Sequence, residues 1–287
     1  KSLRKFKKQY MLTTEMSKLG SSRKIAVPGF TKLTSEMATQ LYMMEVENGK
    51  KGSSQQTFES AFNIDRLQYQ LYRRTPTDFF KLPFFAVVAA IFFETTPIVC
   101  FIFPEITPLT CVLPSLLPKL WSSSSTLKLA SMREKSGESL EDKALQTAQN
   151  LPIVEVRLLT KSLRLTSRWV PSIVYPDSTL RRRLQEHYCY LVVDDHFIAS
   201  NGGVWSLAPP ELVVACLERN LILDIKKDYS LLDQEEYLEN LRLELAVWLL
   251  NFKNSNIGYL GLNHLIGPAL KNSQLQPIDV LSINLAP

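Results

Sequence analysis

The chain has 287 residues, enough for one large or two modest domains, and 33 Lys and Arg against 28 Asp and Glu give it a net charge of +5. The excess is confined to residues 1–75, which hold 14 basic and 6 acidic side chains, against 19 and 22 in the remainder. That division excludes a basic DNA-binding core and places the positive charge in an N-terminal arm.

The arm opens on KSLRKFKK, Lys1–Lys8, and no acid precedes Glu15. Basic, Ser-containing and acid-poor is the composition of a mitochondrial transit region or of the mature end behind one. A secretory signal needs a compact apolar core here, and none exists. The alternative is a surface arm drawn to anionic lipid heads. One helix is predicted near Thr34–Glu47, and NGKKGSSQQ (Asn48–Gln56) reads as loop. Phe58, Phe62, Leu67, Tyr69 and Tyr72 lead to Arg73 and Arg74, the pattern of an interfacial helix over Phe58–Arg74.

LPFFAVVAAIFFETTPIVCFIFP follows, Leu82–Pro104, and the 22 residues Leu82–Phe103 contain one ionisable group, Glu94. At about 1.5 Å per residue, such a helix just crosses a hydrocarbon core of about 30 Å. It has no polar stripe, because Glu94, Thr95 and Thr96 form a break instead of a face. The expectation is a single Pro-interrupted transmembrane helix. A buried hairpin of two short apolar elements around Thr95–Pro97 is the alternative.

Pro104, Pro108, Pro114 and Pro118 then forbid one regular helix. Beyond Ser122–Ser125 the pattern is helical: Gly137–Gln149, Ile153–Val170, Asp177–Val193 with Asp177 or Ser178 as N-cap, Ser206–Asn220 with prolines in its first turn, and Leu232–Lys253. Strands are nearly absent, so the predicted fold is all-α, a transmembrane helix followed by a helical domain. The organisation is a basic, partly disordered arm (1–75), a membrane segment with a proline-rich exit (76–120), a helical domain (121–260) and a tail (261–287).

Chemistry has little material. Cys100, Cys111, Cys189 and Cys216 show no C-x-x-C spacing, and the histidines are His187, His196 and His264. Neither a zinc site nor a disulfide framework follows. No phosphate-binding glycine loop, G-x-S-x-G or H-E-x-x-H occurs, and Asp224–Glu236 lacks the glycine and ligand spacing of a calcium loop. No enzyme, metal or cofactor is expected.

Two regions carry a resemblance. Pro83-Phe84, Glu94, Pro97, Phe103-Pro104 and Pro108 stand in the first. Leu180-Arg181, Asp194-Asp195, Gly203-Val204, Leu207, Glu211-Leu212, Ala215-Cys216 and Arg219 follow in order in the second, with Asn220 where a glycine is usual. Asn also accepts the left-handed conformation at a helix end. Over about residues 75–255 the chain resembles the leucine-zipper/EF-hand-containing transmembrane proteins of the mitochondrial inner membrane, in particular their short fungal relatives. The zipper and the calcium loop are missing. The spacing from Glu94 to Pro97 is one residue short, and the loop after Asp195 is one residue long. The resemblance implies a matrix-side, ribosome-binding-type helical domain and a part in potassium/proton exchange.

Glu94 is the ion-coupling candidate, with Thr96 and Pro97. A carboxylate deep in a bilayer costs at least about 2.5–3.5 kcal/mol, so it needs a proton, a partner or a cavity. Desolvation would raise its pKa toward the range where proton and cation exchange couple. The plainer reading is a neutral Glu hydrogen-bonded for assembly, and Pro97 then only distorts the helix. Arg181, Arg182 and Arg183 are the ribosome-contact candidates, through rRNA phosphates, or else they pair with Glu186 and other acids of the bundle. Asp194 and Asp195 read as a helix end plus turn, and Trp205 and Trp248 as core. The function expected is cation homeostasis at the mitochondrial inner membrane through potassium/proton exchange. The alternative is a membrane-tethered mitochondrial ribosome-binding and protein-insertion factor. Its partners are that membrane, potassium ions and protons, the mitochondrial ribosome, and further copies or other subunits in an oligomer.

Overall fold

The computed structural model describes residues 30–48, 64–92, 94–105, 107, 116–121, 123–135, 139–167 and 170–262. Among them the fold is all-helical, with no strand. In chain order the helices are α1 (Phe30–Asn48), α2 (Arg66–Ile91), α3 (Thr96–Ile102), α4 (Leu117–Leu120), α5 (Ser123–Lys135), α6 (Leu140–Ala144), α7 (Ile153–Ser162), α8 (Asp177–Ser200), α9 (Pro209–Glu218), α10 (Ile225–Asp228) and α11 (Glu235–Phe252).

Helix α8 is the centre. It packs on α1, on α7 and on the first half of α2, while α5 covers α7 and α11 covers α9. Its buried Leu180, Leu184, Leu191 and Ile198 follow helical spacing and form the floor of the core. Helix α11 contributes Leu238, Leu241, Leu245 and Trp248, with the indole stacked on Phe252 at 4.5 Å and against Tyr259 at 4.9 Å. At the other end, Tyr69 is fully buried between Phe30, Tyr190 and Phe197, with ring centroids 5.3–6.0 Å away. Aromatic pairs at this spacing add about 0.5–1.5 kcal/mol each beyond burial.

Several sequence-predicted boundaries move, each for a local reason. The helix expected over Ile153–Val170 stops at Ser162, because Arg164 adopts a left-handed φ of 57°. The helix expected over Gly137–Gln149 is only Leu140–Ala144, capped by the Ser139 hydroxyl, which accepts from the Asp142 amide. Helix α8 runs on past Val193 to Ser200, so Asp194 and Asp195 lie within a helix and not in a turn. Pro209 and Pro210 do occupy the first turn of α9, and Asn220 closes its end at φ 61°, with the Leu221 amide on the Cys216 carbonyl. Trp248 is core, as expected, but Trp205 is 38% exposed.

The N-terminal expectations change most. Helix α1 covers the predicted Thr34–Glu47 and packs on α8, although it falls within the expected basic arm. Residues 58–63 of the expected interfacial helix lie outside the described residues. Its continuation from Arg66 buries Tyr69 and Gln70 in protein instead of resting at headgroup depth. Residues 1–29 and 263–287 also lie outside the described residues.

The apolar segment is not one continuous helix. Helix α2 carries Leu82–Ile91 and ends at Phe92, and α3 begins at Thr96. Pro97 has no amide hydrogen for the carbonyl four residues before it. At the break the hydroxyls of Thr95 and Thr96 donate to the Phe92 carbonyl at 3.2 and 3.0 Å. Among the described residues no helix is long and apolar enough to cross a membrane. The two apolar elements around Thr95–Pro97 do form, but they are not buried. From residue 70 to residue 115 no described hydrophobic side chain enters the core, and Phe84, Val87, Ile91, Ile98, Phe101 and Ile102 are all exposed.

Candidate functional site

The site is this apolar arm together with the polar cluster that seats it. Outward, Leu82–Ile91 extends about 15 Å at the helical rise. Inward, α3 brings the chain back. The Lys119 ammonium donates to the Phe101 carbonyl at 2.9 Å and lies over the Phe101 ring. Glu105, just past the arm, is within electrostatic range of Lys81, just before it, and of Arg164 on the domain. Both ends of the arm therefore sit at the same place on the helical domain.

The seat is built from helical spacing. Asp65 caps α2 through a reciprocal box with Gln68, and Asn201 holds the Asp65 carboxylate at 3.1 Å. Arg66, Gln70 and Arg73 then share one face of α2, while His187, Tyr190 and Asp194 share one face of α8. The two faces meet. Arg66 Nε donates to Asp194 at 3.0 Å and its Nη1 to Glu211 at 3.3 Å. Gln70 donates to Asp194 at 2.7 Å and to the Tyr190 hydroxyl at 2.8 Å. Arg73 stacks 3.5 Å over the Tyr190 ring and donates to Glu218 at 2.5 Å, and the Tyr190 hydroxyl donates to Glu218 at 2.6 Å.

Arg219 completes the cluster from the end of α9. Its guanidinium is fully buried and bridges Asp194 at 2.7 Å and Asp195 at 2.5 Å, while Trp248 Nε1 donates to Asp195 at 3.1 Å. Burial alone would push Asp194 up, but Arg219 and Arg66 hold it below the usual carboxylate range. Glu218 is likewise held low, chiefly by Arg73, against the effect of burial. Asp195 goes the other way, because its burial outweighs what Arg219 returns. Arg66, Arg73 and Arg219 thus face Asp194, Asp195 and Glu218, with Glu211 at the rim, so that each carboxylate has a cation.

His187 reports on this cluster. Its Nε2–H donates to the Glu218 carbonyl at 2.9 Å, and burial, reinforced by Arg73, brings its pKa from 6.5 down to about 4. The folded chain keeps the ring neutral while the unfolded chain protonates it, so the unfolded chain binds more protons between these values. Stability is expected to fall as pH drops from 6.5 toward 4, by up to about 1.4 kcal/mol per pH unit. Asp194 and Glu218 extend the loss on further acidification, and Asp195 opposes it. Urea unfolding at successive pH values tests this, and His187→Gln should flatten the upper part of the slope. A wild-type midpoint that does not fall between pH 6.5 and pH 5 would contradict it.

The sequence-predicted candidates separate. Glu94, Thr96 and Pro97 do come together, in the break at the tip of the arm, with Glu94 exposed. The arginine triplet divides by role. Arg181 Nη1 donates to the carbonyls of Ala148, Gln149 and Leu151, and Arg183 donates to the Leu165 carbonyl at 2.9 Å. Arg182 is exposed and pairs loosely with Glu186 at 3.7 Å. Two of the three are structural ties, and one faces solvent. Sequence reasoning missed Arg66, Gln70, Arg73, Tyr190 and Glu218, although their three- and four-residue spacings were visible. Among the described residues no three His, Cys, Asp or Glu converge to hold a metal ion.

Comparison with known proteins gives one match. The family model of the PNT1 pentamidine resistance factor domain covers residues 3–201, which takes in the arm, all of α8 and the α2 side of the seat. No curated protein and no solved structure matches the chain.

Proposed function

The chain belongs to the pentamidine resistance factor domain family, and from that premise we propose that it is a membrane-docked factor of the mitochondrial inner membrane. Its arm dips into one leaflet, and its helical domain stands on the matrix face, where it receives the ribosome and the protein being inserted. One observation carries the reading: the segment Leu82–Phe103 is apolar, exposed and returns to where it left. An exposed apolar surface of this kind marks a membrane or partner contact. An arm of about 15 Å matches one leaflet of a hydrocarbon core of about 30 Å. The Thr95 and Thr96 hydroxyls satisfy a backbone carbonyl at the turn, as lipid requires. The basic, acid-poor Lys1–Lys8 supports the organelle, and the resemblance of Leu180–Asn220 to a ribosome-binding-type domain supports the partner.

The re-entrant path also removes a conflict of topology. Arg66, Arg73, Arg74 and Lys81 would place residues before the arm in the matrix. The resemblance places the domain after the arm there too. A single span cannot satisfy both, whereas an arm that leaves and returns on one side does.

Potassium/proton exchange is the reading this geometry supports less. Between residues 82 and 104 Glu94 is the single titratable carboxylate, and one exposed carboxylate offers no relay of sites along a path. The purified chain is expected to co-sediment with the mitochondrial large ribosomal subunit, and Glu94→Gln should leave potassium-acetate swelling of mitochondria unchanged. Failure to co-sediment, combined with a strong loss of swelling at equal protein level, would make ion exchange the function.

A further inference from the structure

At the base of the arm a cavity of about 1050 Å³ opens between α1, α2 and α8. Among the described residues eight Lys and Arg line it, against three Glu. Several of these cations are engaged within the protein, Arg73 with Glu218, Arg182 with Glu186, and Arg181 and Arg183 with backbone carbonyls. Lys81 and Arg164 differ. They stand near enough to repel, with Asp78 and Glu105 partly offsetting Lys81 and Glu105 and Glu218 partly offsetting Arg164, and Lys81 directly precedes Leu82, the first exposed apolar residue of the run.

Arg164 is the second cation, held where α7 ends, with the Leu165 amide on the Thr160 carbonyl as Leu221 is on Cys216. It holds a left-handed φ of 57°, a conformation that costs a non-glycine residue of order 1 kcal/mol or more. That backbone carries its guanidinium 4.5 Å over the Trp121 ring, on the cavity wall. The helix that the sequence pattern would have continued through this position ends instead. Burial, then Arg164, lowers the pKa of Lys81 below the ordinary lysine value, and burial does the same to Arg164. Two cations are thus kept together at a cost, next to an apolar arm.

We propose that this cavity takes the phosphodiester headgroup of an anionic phospholipid, with the phosphate between Lys81 and Arg164 and the acyl chains along the arm from Leu82. The assignment rests on the membrane-docked reading. A phosphate offsets the repulsion between the two cations, and Trp121 gives the glycerol an amphipathic wall. Nucleic acid suits the geometry less, since it needs a basic track with bases stacked on successive aromatics. A half-open cavity that adjoins an apolar arm suits one headgroup with its acyl chains.

The test is flotation of the full chain with vesicles of phosphatidylcholine, with and without phosphatidylglycerol. Wild type should bind both and prefer the anionic vesicles. The double variant Lys81→Gln, Arg164→Gly should lose about fivefold per cation removed, roughly twenty-five-fold in all, on anionic vesicles alone. Glycine suits the left-handed φ of 57° at position 164, so the variant should keep its fold, which circular dichroism checks. Equal binding of wild type to the two vesicle types would overturn the headgroup site and leave the membrane reading standing. Binding to neither would overturn both. Vesicles displaced by inorganic phosphate alone, or by single-stranded RNA that the double variant no longer binds, would assign the cavity to that ligand and overturn the lipid.

Discussion

Replacing Phe84, Val87 and Ile91 by Asp is expected to release the chain from membranes while leaving its fold and melting temperature unchanged. The three side chains share one face of α2 and are 59%, 56% and 70% exposed. Burying each in lipid is worth about 1.5–3 kcal/mol, and an Asp at depth costs about 2.5–3.5 kcal/mol instead. Even half of that difference, taken over three positions, changes partition by several orders of magnitude. Ile173 and Val174 are the control. They are 71% and 66% exposed in the segment before α8, outside the arm, and Asp there should leave membrane binding intact. If the arm variant loses its fold, the face is packed against protein and the docking account is wrong. If it stays on vesicles, the arm is not what holds the chain there.

The second large effect is on stability. Arg219→Ala takes the buried guanidinium from Asp194, which is fully covered, and from Asp195, whose side chain is 13% exposed, and breaking a buried pair in this way costs about 3–5 kcal/mol. Because Arg66 and Gln70 also hold Asp194, the first half of α2 should loosen with it. Hydrogen exchange on α2 is expected to rise before the rest of the domain opens. Arg182→Ala removes only an exposed pair at 3.7 Å and should change stability by less than about 0.5 kcal/mol. Chemical denaturation separates the two. Equal effects would mean that the cluster does not anchor the arm.

How much of this was legible in the sequence depends on what each residue needed. Helix α11 was visible because Leu238, Leu241, Leu245 and Trp248 repeat on one face. The left-handed Asn220 and the first-turn prolines of α9 were visible because each depends only on local backbone chemistry. The apolarity of Leu82–Phe103 was plain, but its return was not. That path rests on Glu105 lying within electrostatic range of Lys81 and Arg164, and on Lys119 reaching Phe101, relations that no local pattern contains. The same is true of the seat. Asp194 and Asp195 look like a turn until Arg219 arrives from another helix to neutralise them inside one. The arginine triplet is the reverse case. Three adjacent cations suggest a nucleic-acid surface, whereas two of them are spent on carbonyls left open by nearby loop ends.

On the proposed reading the chain enters and leaves the membrane on one side. Thr75 and Ser124 are exposed positions on either side of the arm. A cysteine at each, one at a time, with Cys100, Cys111 and Cys189 replaced by Ser, leaves only the buried thiol of Cys216 as background. The readout is labelling by a membrane-impermeant maleimide in mitoplasts, before and after the inner membrane is permeabilised. Protection of both cysteines until permeabilisation is the predicted result. Labelling of one in intact mitoplasts with protection of the other would mean that Leu82–Phe103 spans the membrane, and would contradict the account.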